Sequence, residues 1–308
     1  MRSGQLRMLT VAAALAIAVG GCGGSDEAEE PAAEAPTETA AEFEAGTRMA
    51  ELAEAGTLKV GVKKDQPGIG FQEPGADEPT GFDIEILKLL AAKLGVEPGS
   101  IEYIETVSKN REPFLQRGTV DLVAASYSIT DERKEIVGQA GPYYVTGQQL
   151  LVREEDKETI TGPDDLEGKK VCSVTGSTSI KTVEEEYGAD PAPFATYSEC
   201  VQQLTNGQVD AVTTDGAILL GYAALQPDEV EVVGEPFSEE RYGVGYNKDD
   251  AEMCEFINTT LEEAYEDGSW EEAFNRTLGE SGVEAPEPPE LDPCEEAASG
   301  EATPTPES

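Results

Sequence analysis

Short apolar runs rich in β-branched residues alternate with helix-like segments through the middle of this chain. Residues 57–62 predict a first strand, and apolar residues at helical spacing follow it at 82–94. Asp83 can cap the start of that helix, and Gly95 can end it. This alternation is typical of an α/β fold and differs from the patterns of a β-sandwich or a helical bundle.

The same alternation continues towards the C-terminus. Further strands are predicted at residues 100–105, 120–124, 149–152, 170–174, 209–213, 229–233 and 242–246. The clearest further helices are predicted at residues 199–206, 216–224 and 251–266. Residues 114–123 and 201–212 also echo each other, since both combine a helix end, a glycine and a strand that opens on Val-Asp. Together with the chain length, this echo suggests two lobes of similar build.

The first 22 residues indicate export. Arg2 and Arg7 precede an apolar run at 9–19, which is followed by Gly-Gly and Cys22. The run is shorter than the roughly 20 apolar residues of a membrane-spanning helix, so it predicts a secretion signal. Small residues directly before a cysteine resemble the lipobox of bacterial lipoproteins. We therefore expect residues 1–22 to be a lipoprotein signal peptide and lipidated Cys22 to anchor the protein outside the plasma membrane. The alternative is an ordinary signal peptide with an incidental cysteine.

Both ends of the chain are compositionally biased. Residues 23–50 are rich in Ala, Glu, Pro and Thr and predict a disordered acidic tether, and 284–308 predict a mostly disordered Pro-rich acidic tail. The formal net charge is -42, with 63 acidic and 21 basic residues. Such acidity favours solubility at an exposed surface and argues against nucleic-acid partners.

The cysteines of an exported chain predict disulfides. Beside Cys22 there are Cys172, Cys200, Cys254 and Cys294, which allow three connectivities. A crosslink between Cys172 and Cys200 is local, and the other two would then pair and pin part of the tail to the globular body. Metal binding is the rival interpretation, but the chain has neither a Cys-x-x-Cys motif nor a histidine. We expect neither a metal nor a cofactor.

Seven stretches of the chain resemble a known family, the polar amino-acid-binding proteins of ABC importers, also called family 3 solute-binding proteins. In family order they are GFDIE at 81–85, NREPFLQRGTVD at 110–121, SITDER at 128–133, GPYY at 141–144, DLEGK at 165–169, GSTS at 176–179 and VDAVTTD at 209–215. The sequence GVKKDQPGIG at 61–70 and the paired Cys172 and Cys200 are most similar to the actinobacterial glutamate-binding lipoprotein branch.

The resemblance implies a two-lobed periplasmic-binding-protein type II fold, in which two crossing segments join the lobes and the ligand lies in the cleft between them. The first lobe would comprise residues 51–144 and 237–283, and the second lobe residues 145–236. The lobes would close over the ligand by a hinge motion.

A buried amino-acid zwitterion needs an opposite charge or several hydrogen bonds at each end. Arg133 is the candidate for the α-carboxylate, because its planar fork can bind two oxygens. Asp215 is the candidate for the α-ammonium, since it follows an apolar strand at the mouth of the next helix. The family match agrees with both roles. The alternatives are a surface charge beside Glu132 for Arg133 and a helix cap for Asp215.

The resemblance adds four hydroxyl residues to the carboxylate site. Ser126 and Ser128 would offer backbone N–H groups and hydroxyls beside Arg133. Ser177 and Thr178 follow the flexible Gly176 and would close over the ligand from the second lobe, although such clusters are usually ordinary loops.

The ligand side chain would meet two cations. Arg111 lies where glutamate and aspartate binders of the family carry a ligand for the side-chain carboxylate, and Lys63 lies where another cation can sit. The alternative for Arg111 is a structural role. Phe71 and Tyr127 are the candidates for an aromatic contact with the ligand, whereas Trp270 is expected to pack within the first lobe.

These features predict a monomeric, lipid-anchored binding protein that captures glutamate, or else aspartate or glutamine, for an ABC permease. Two other classes remain open. One is a ligand-sensing module for a membrane receptor or kinase, and the other is a dehydratase-like enzyme on the same fold. An acid/base enzyme would have to use Asp, Glu, Lys or Tyr because histidine is absent. No unexplained carboxylate pair lies among the cleft motifs, so we expect no catalysis.

Overall fold

The computed structural model describes residues 43–250, 252–281 and 283–294. The predicted signal peptide, its Cys22 and most of the predicted tether lie outside these residues, as do residues 295–308 of the predicted tail. Within the described ranges, no helix combines the length and the apolar character that crossing a membrane requires.

The described chain alternates strands and helices. The strands are β1 Leu58–Val62, β2 Asp65–Gln66, β3 Gly70–Phe71, β4 Ile101–Glu105, β5 Leu122–Val123, β6 Gly138–Thr146, β7 Gln148–Arg153, β8 Lys170–Val174, β9 Asp190–Phe194, β10 Ala211–Asp215, β11 Val230–Val233 and β12 Glu240–Tyr246. The α-helices are α1 Arg48–Ala55, α2 Phe82–Lys93, α3 Arg111–Gln116, α4 Asp131–Lys134, α5 Thr178–Glu186, α6 Tyr197–Thr205, α7 Gly216–Leu225, α8 Met253–Asp267 and α9 Ser269–Asn275.

Two five-stranded mixed sheets organise these elements. The first has the strand order β4-β1-β5-β12-β6, and the second has the order β11-β7-β10-β8-β9. In the first sheet β1 is parallel to β4 and β5, while β12 is antiparallel to β5 and β6. In the second sheet β8 is parallel to β9 and β10, while β7 is antiparallel to β10 and β11.

The chain leaves the first sheet after β6, builds the second sheet, and returns between β11 and β12. The predicted two-lobed α/β fold with two crossing segments is therefore confirmed. We call the part built on the first sheet the first lobe and the part built on the second sheet the second lobe.

An aromatic cluster forms part of the first lobe's core. The ring of Phe82 makes edge contacts with Tyr143, Tyr144, Trp270 and Phe274, with centroid distances of 5.5 to 6.0 Å. Trp270 is buried, and its indole N–H donates to the Tyr143 carbonyl at 2.9 Å. This bond satisfies the only polar atom of a large buried ring, so Trp270 packs within the first lobe as predicted.

Both predicted disulfides are present. Cys172 of β8 is bonded to Cys200 of α6, and Cys254 of α8 is bonded to Cys294. The second bond fastens residues 283–294 to the first lobe, and Asp292 reinforces it through an ion pair with Arg241 at 2.6 Å. The described part of the tail is thus held by more than its cysteine.

Residues 48–50 do not belong to a tether. They form the first turn of α1, where the Thr47 hydroxyl accepts a hydrogen bond from the backbone N–H of Ala50. The ring of Phe43 lies further upstream and contacts Phe256 at a centroid distance of 5.7 Å. The predicted tether boundary at residue 50 is therefore wrong, because a helix that buries only Met49 and Leu52 gives a weak sequence signal.

Candidate functional site

A buried cavity lies between the two lobes. Its volume is about 220 Å³, including the space at its opening to solvent. The lining residues come from segments that follow strands of both sheets, the edge at which α/β folds present functional groups. They are Ser108, Arg111, Ser126, Ser128, Arg133, Ser177, Thr178, Ser179, Tyr197 and Asp215. Seven of the eight predicted ligand-binding residues are thus brought together, and Lys63 is the exception.

Arg133 presents its guanidinium to this cavity from helix α4. Its Nη1 donates to the Ser128 carbonyl at 2.7 Å, and its Nη2 donates to the Gly176 carbonyl at 3.1 Å. Its Nε lies 3.4 Å from Glu112 Oε1. Each terminal nitrogen therefore keeps one N–H with no partner among the described residues. This pair of N–H groups suits a carboxylate, and the residue is buried rather than a surface charge.

Arg111 is held much more completely. Its Nε donates to the Ser108 carbonyl, its Nη1 donates to the carbonyls of Ala125 and Ser126, and its Nη2 donates to the Gly176 carbonyl, at 3.0 to 3.2 Å. Four of the five N–H groups of the guanidinium therefore bind backbone oxygens. The side chain is 2% exposed, and burial lowers its pKa to about 10, with the nearby Arg133 acting in the same direction.

Tyr127 lies beneath both guanidinium groups. The ring centroid is 4.4 Å from the Arg111 Cζ and 5.1 Å from the Arg133 Cζ, which are cation–π distances. The hydroxyl donates to Glu112 Oε1 at 2.8 Å. Tyr127 is fully buried and does not line the cavity. It therefore supports the arginines rather than serving as a lid over the ligand.

Asp83 fixes the backbone beside the arginines. Its Oδ2 accepts the backbone N–H of Ser126 at 2.7 Å, and its Oδ1 accepts the Tyr143 hydroxyl at 2.6 Å. Ser126 has a φ of 43°, a left-handed conformation that costs a non-glycine residue free energy. The sequence prediction that Asp83 caps helix α2 is wrong, since it lies inside that helix and its side chain is used elsewhere. Burial raises the pKa of Asp83 to about 6.

The four predicted hydroxyls use their protons within the protein. Ser126 donates to the Ala125 carbonyl at 2.9 Å, and Ser177 donates to the Val174 carbonyl at 2.9 Å. Ser128 and Thr178 both donate to the buried Glu240 carboxylate, as described below. A hydroxyl has a single proton, so these oxygens face the cavity as acceptors. The sequence expectation that the hydroxyls bind a carboxylate is therefore not supported by their direction, and the backbone N–H of Ser126 is already bonded to Asp83.

Asp215 ends strand β10 at the cavity. Its Oδ2 accepts the Tyr242 hydroxyl at 2.5 Å, while its Oδ1 is buried and has no hydrogen-bond partner in the described part of the chain. Although Asp215 precedes helix α7, its side chain makes no capping bond. Burial raises the pKa of Asp215 to about 7, and the Glu240 carboxylate acts in the same direction. An unpartnered buried acceptor costs free energy, and an ammonium would satisfy it.

Lys63 does not line the cavity but contacts a residue that does. Its ammonium donates to the Ser108 hydroxyl at 2.8 Å, and Ser108 lines the cavity. Burial and, to a smaller extent, the neighbouring Arg111 lower the pKa of Lys63 to about 7. Lys63 and Arg111 thus form a buried cationic region at this end of the site.

Three lining residues were not predicted as ligand contacts. Ser179 adjoins the predicted Ser177 and Thr178, so its sequence neighbours were the available signal. Tyr197 begins helix α6 after the capping residue Thr196, and Ser108 precedes Arg111 in a short 3-10 turn. Neither carries a motif of its own. Only the packing of the two lobes brings them to the cavity.

The sequence profile of the bacterial extracellular solute-binding proteins, family 3, matches residues 58–280. The chain belongs to this family. Among its curated members, the glutamate-binding protein GluB of Corynebacterium efficiens is 40% identical over 247 residues, which cover 77% of this chain and 84% of the relative. The ABC transporter glutamine-binding protein GlnH of Bacillus subtilis is 34% identical over 238 residues, covering 77% and 86%.

Solved structures of similar proteins share the fold of this family 3 member. An ancestral arginine-binding protein bound to glutamine superposes with a TM-score of 0.68 and 38% identity, covering 73% of this chain and 98% of that one. An arginine-binding protein from T. maritima, in a P235GK mutant form, gives a TM-score of 0.70 and 28% identity, covering 75% and 99%.

Proposed function

We propose that this protein captures an α-amino acid and delivers it to the permease of an ABC importer. The observation that carries the proposal is the pairing of Arg133 and Asp215 in one buried cavity. Arg133 offers one free N–H on each terminal nitrogen to a carboxylate, and Asp215 offers an unpartnered oxygen to an ammonium. A buried zwitterion requires both interactions. Relatives that bind glutamate and glutamine support delivery to an importer.

Glutamate is the ligand we propose, ahead of aspartate and glutamine. A second carboxylate would balance the buried ammonium of Lys63, whose pKa is lowered by burial and by repulsion from Arg111. The Ser108 hydroxyl lies between the Lys63 ammonium and the cavity. The 40% identity to glutamate-binding relatives points the same way.

The protein acts by capture and release without chemical change of the ligand. A dehydratase-like enzyme is the second candidate, since an ancestral amino acid-binding protein described as a precursor of cyclohexadienyl dehydratase superposes with a TM-score of 0.69 and 31% identity. The two candidates differ in whether the bound ligand is recovered unaltered. A sensing module would bind in the same way and would differ only in its membrane partner.

Titration calorimetry tests the proposal directly. The protein is unfolded, dialysed and refolded to strip bound ligand, and then titrated with glutamate, aspartate, glutamine, asparagine and arginine. We expect one monomer to bind one ligand, with glutamate tightest, and Arg133→Ala to lose every ligand. Chromatography of the released ligand should return it unchanged. Absence of binding to all five amino acids would refute capture, and a modified ligand would favour the enzyme.

Membrane attachment through a lipid on Cys22 belongs to the same proposal. The anchor would hold the protein at the outer face of the plasma membrane, with the following residues as a spacer to the described lobes. Labelled palmitate should enter the wild-type protein in the producing cell and should not enter Cys22→Ala. Equal labelling of the two proteins would show that the anchor lies elsewhere.

A further inference from the structure

Glu240 is the first residue of β12 and does not line the cavity, yet its carboxylate is bonded to two residues that do. Oε2 accepts the Ser128 hydroxyl at 2.5 Å and the Thr178 hydroxyl at 3.0 Å. Oε1 accepts the Ser238 hydroxyl at 3.1 Å. Glu240 is 4% exposed. A buried carboxylate with three hydroxyl donors is thus placed directly behind the ligand cavity.

The two cavity hydroxyls belong to different lobes. Ser128 is bridged to Tyr242 of β12 in the first lobe, whereas Thr178 begins helix α5 of the second lobe. Both can meet one oxygen of Glu240 only when the lobes are together. The carboxylate therefore joins the lobes at the ligand cavity.

The direction of these bonds decides what the hydroxyls offer to a ligand. An ionised carboxylate can only accept, so Ser128 and Thr178 must each give their single proton to Glu240. Their oxygens then present lone pairs to the cavity. Lone pairs repel a carboxylate and attract an ammonium.

A second residue of β12 prepares Asp215 in a similar way. Tyr242 lies two positions after Glu240, so the two side chains leave the strand on the same face. The Tyr242 hydroxyl occupies Asp215 Oδ2 and leaves Oδ1 unpartnered among the described residues. One strand thereby fixes three acceptors, which are the Ser128 and Thr178 oxygens and Asp215 Oδ1.

We propose that Glu240 is a positioning residue for ammonium recognition, which takes up the hydroxyl protons of Ser128 and Thr178 and leaves both oxygens as acceptors in the closed cleft. The proposal rests on the capture of an α-amino acid argued above. It separates the two ends of the ligand, because Arg133 serves the carboxylate while the hydroxyls of Ser128 and Thr178 serve the ammonium.

The test compares a ligand with and without its ammonium. Glu240→Met is nearly isosteric and removes the acceptor, so the two hydroxyl protons are free to turn into the cavity. We expect glutamate to bind at least about tenfold more weakly to this variant, a loss of roughly 1.4 kcal/mol. Glutarate, which lacks the amino group, should bind to Glu240→Met as weakly as to the wild type, or more tightly. Glu240→Gln keeps an acceptor oxygen and should retain glutamate affinity within about threefold.

Small-angle scattering supplies a readout that needs no ligand. Glu240→Ala should enlarge the radius of gyration of the ligand-free protein, because the bond between the lobes is lost. If Glu240→Met does not fold, Glu240→Ala takes its place in the titrations. Equal weakening of glutamate and glutarate, or an unchanged radius in Glu240→Ala, would overturn the proposal. A wild type that binds no amino acid would refute the proposed function instead, and scattering would then decide the role of Glu240 alone.

Discussion

The carboxylate of Asp65 accepts the backbone N–H of Tyr197 at 2.8 Å, which joins the hairpin formed by β2 and β3, between β1 and α2, to helix α6 of the second lobe. The same Oδ2 accepts the next backbone N–H, that of Ser198, at 3.3 Å. Both N–H groups lie in the first turn of α6, where they have no partner within the helix and where a negative charge is favourable. Asp65 therefore stabilises the arrangement in which the lobes are together.

Asp65→Asn should weaken the binding of every amino acid by a similar factor. Because the contact joins the two lobes, its loss lowers the population of the closed form without changing ligand contacts. We expect about a tenfold increase in Kd for both glutamate and glutamine, since the charge–helix contact contributes about 1 kcal/mol or slightly more. Calorimetry with both ligands measures this.

Asp228→Asn is the matched control, because Asp228 is an exposed acid of the second lobe, and it should bind like the wild type. A larger loss for glutamate than for glutamine in Asp65→Asn would contradict a role in closure and would indicate side-chain selection.

Gly176→Ala should also oppose closure. Gly176 has a φ of +88°, and a Cβ there would lie 3.0 Å from the backbone N and Cα of Lys109 across the cleft. Its carbonyl is also the oxygen shared by Arg111 and Arg133. We expect a tenfold or greater loss of affinity for all ligands, which corresponds to about 1.4 kcal/mol or more, measured by calorimetry.

The control is Gly207→Ala, since Gly207 has a similar φ of +68° but no atom within 4 Å of the added Cβ. That variant suffers the backbone strain without the contact between lobes. Affinity losses of equal size in the two variants would show that backbone strain alone explains the effect of Gly176→Ala.

Ligand affinity should fall as the pH drops below about 7. Burial and Glu240 raise the pKa of Asp215 to about 7, whereas Tyr242, Arg111 and Arg133 oppose this shift. An ammonium binds ionised Asp215, so binding below this pH must displace a proton, and affinity declines towards tenfold per pH unit. Calorimetry at pH 6 in buffers of different ionisation enthalpy should show release of nearly one proton.

The proton release should disappear in Asp215→Asn and persist in Asp83→Asn, which removes the other raised carboxyl near the site. An affinity that stays constant from pH 5 to 8 would show that Asp215 is already ionised throughout that range.

Much of the fold was predictable because its signals are local. The β1 residues Leu58, Val60 and Val62 are fully buried, and the predicted strand at 57–62 matches β1. The predicted strands do not include β9, where prolines at 191 and 193 weaken the strand signal. That strand exists because it is the edge of its sheet, where half of the backbone N–H groups need no partner. Helix α5, which Ser177 caps, is likewise not among the clearest helices predicted from the sequence.

Site residues that must present a charge to the ligand were predictable from the sequence. Site residues whose hydrogen-bond partners come from distant segments were not. Arg133 and Asp215 carry charges whose burial only a ligand or a partner explains. Glu240, in contrast, stands in the sequence as one of two neighbouring acids, and nothing local distinguishes it from a solvated charge. Its partners Ser128 and Thr178 are more than 60 residues away, so only the assembled lobes reveal its role.

Arg111 was interpreted from the sequence as the residue that selects an acidic side chain, and its contacts favour a structural role. Arg111→Met would remove four hydrogen bonds to backbone carbonyls, at a cost of several kcal/mol in the free energy of unfolding. We expect a clear fall in Tm and equal loss of glutamate and glutamine binding, measured by calorimetry and thermal unfolding. A loss confined to glutamate would restore the selective role.

Selection of the acidic side chain should instead depend on Lys63. Lys63→Gln can keep a hydrogen bond to the Ser108 hydroxyl while removing the charge. Because Lys63 is 4% exposed, its field is weakly screened, and we expect glutamate affinity to fall about tenfold while glutamine affinity changes little. Calorimetry with both ligands measures the ratio. Lys59→Gln is the matched control, since Lys59 is an exposed residue of strand β1, which directly precedes Lys63. Equal losses for the two ligands in Lys63→Gln would mean that this cation stabilises the first lobe and does not discriminate between carboxylate and amide.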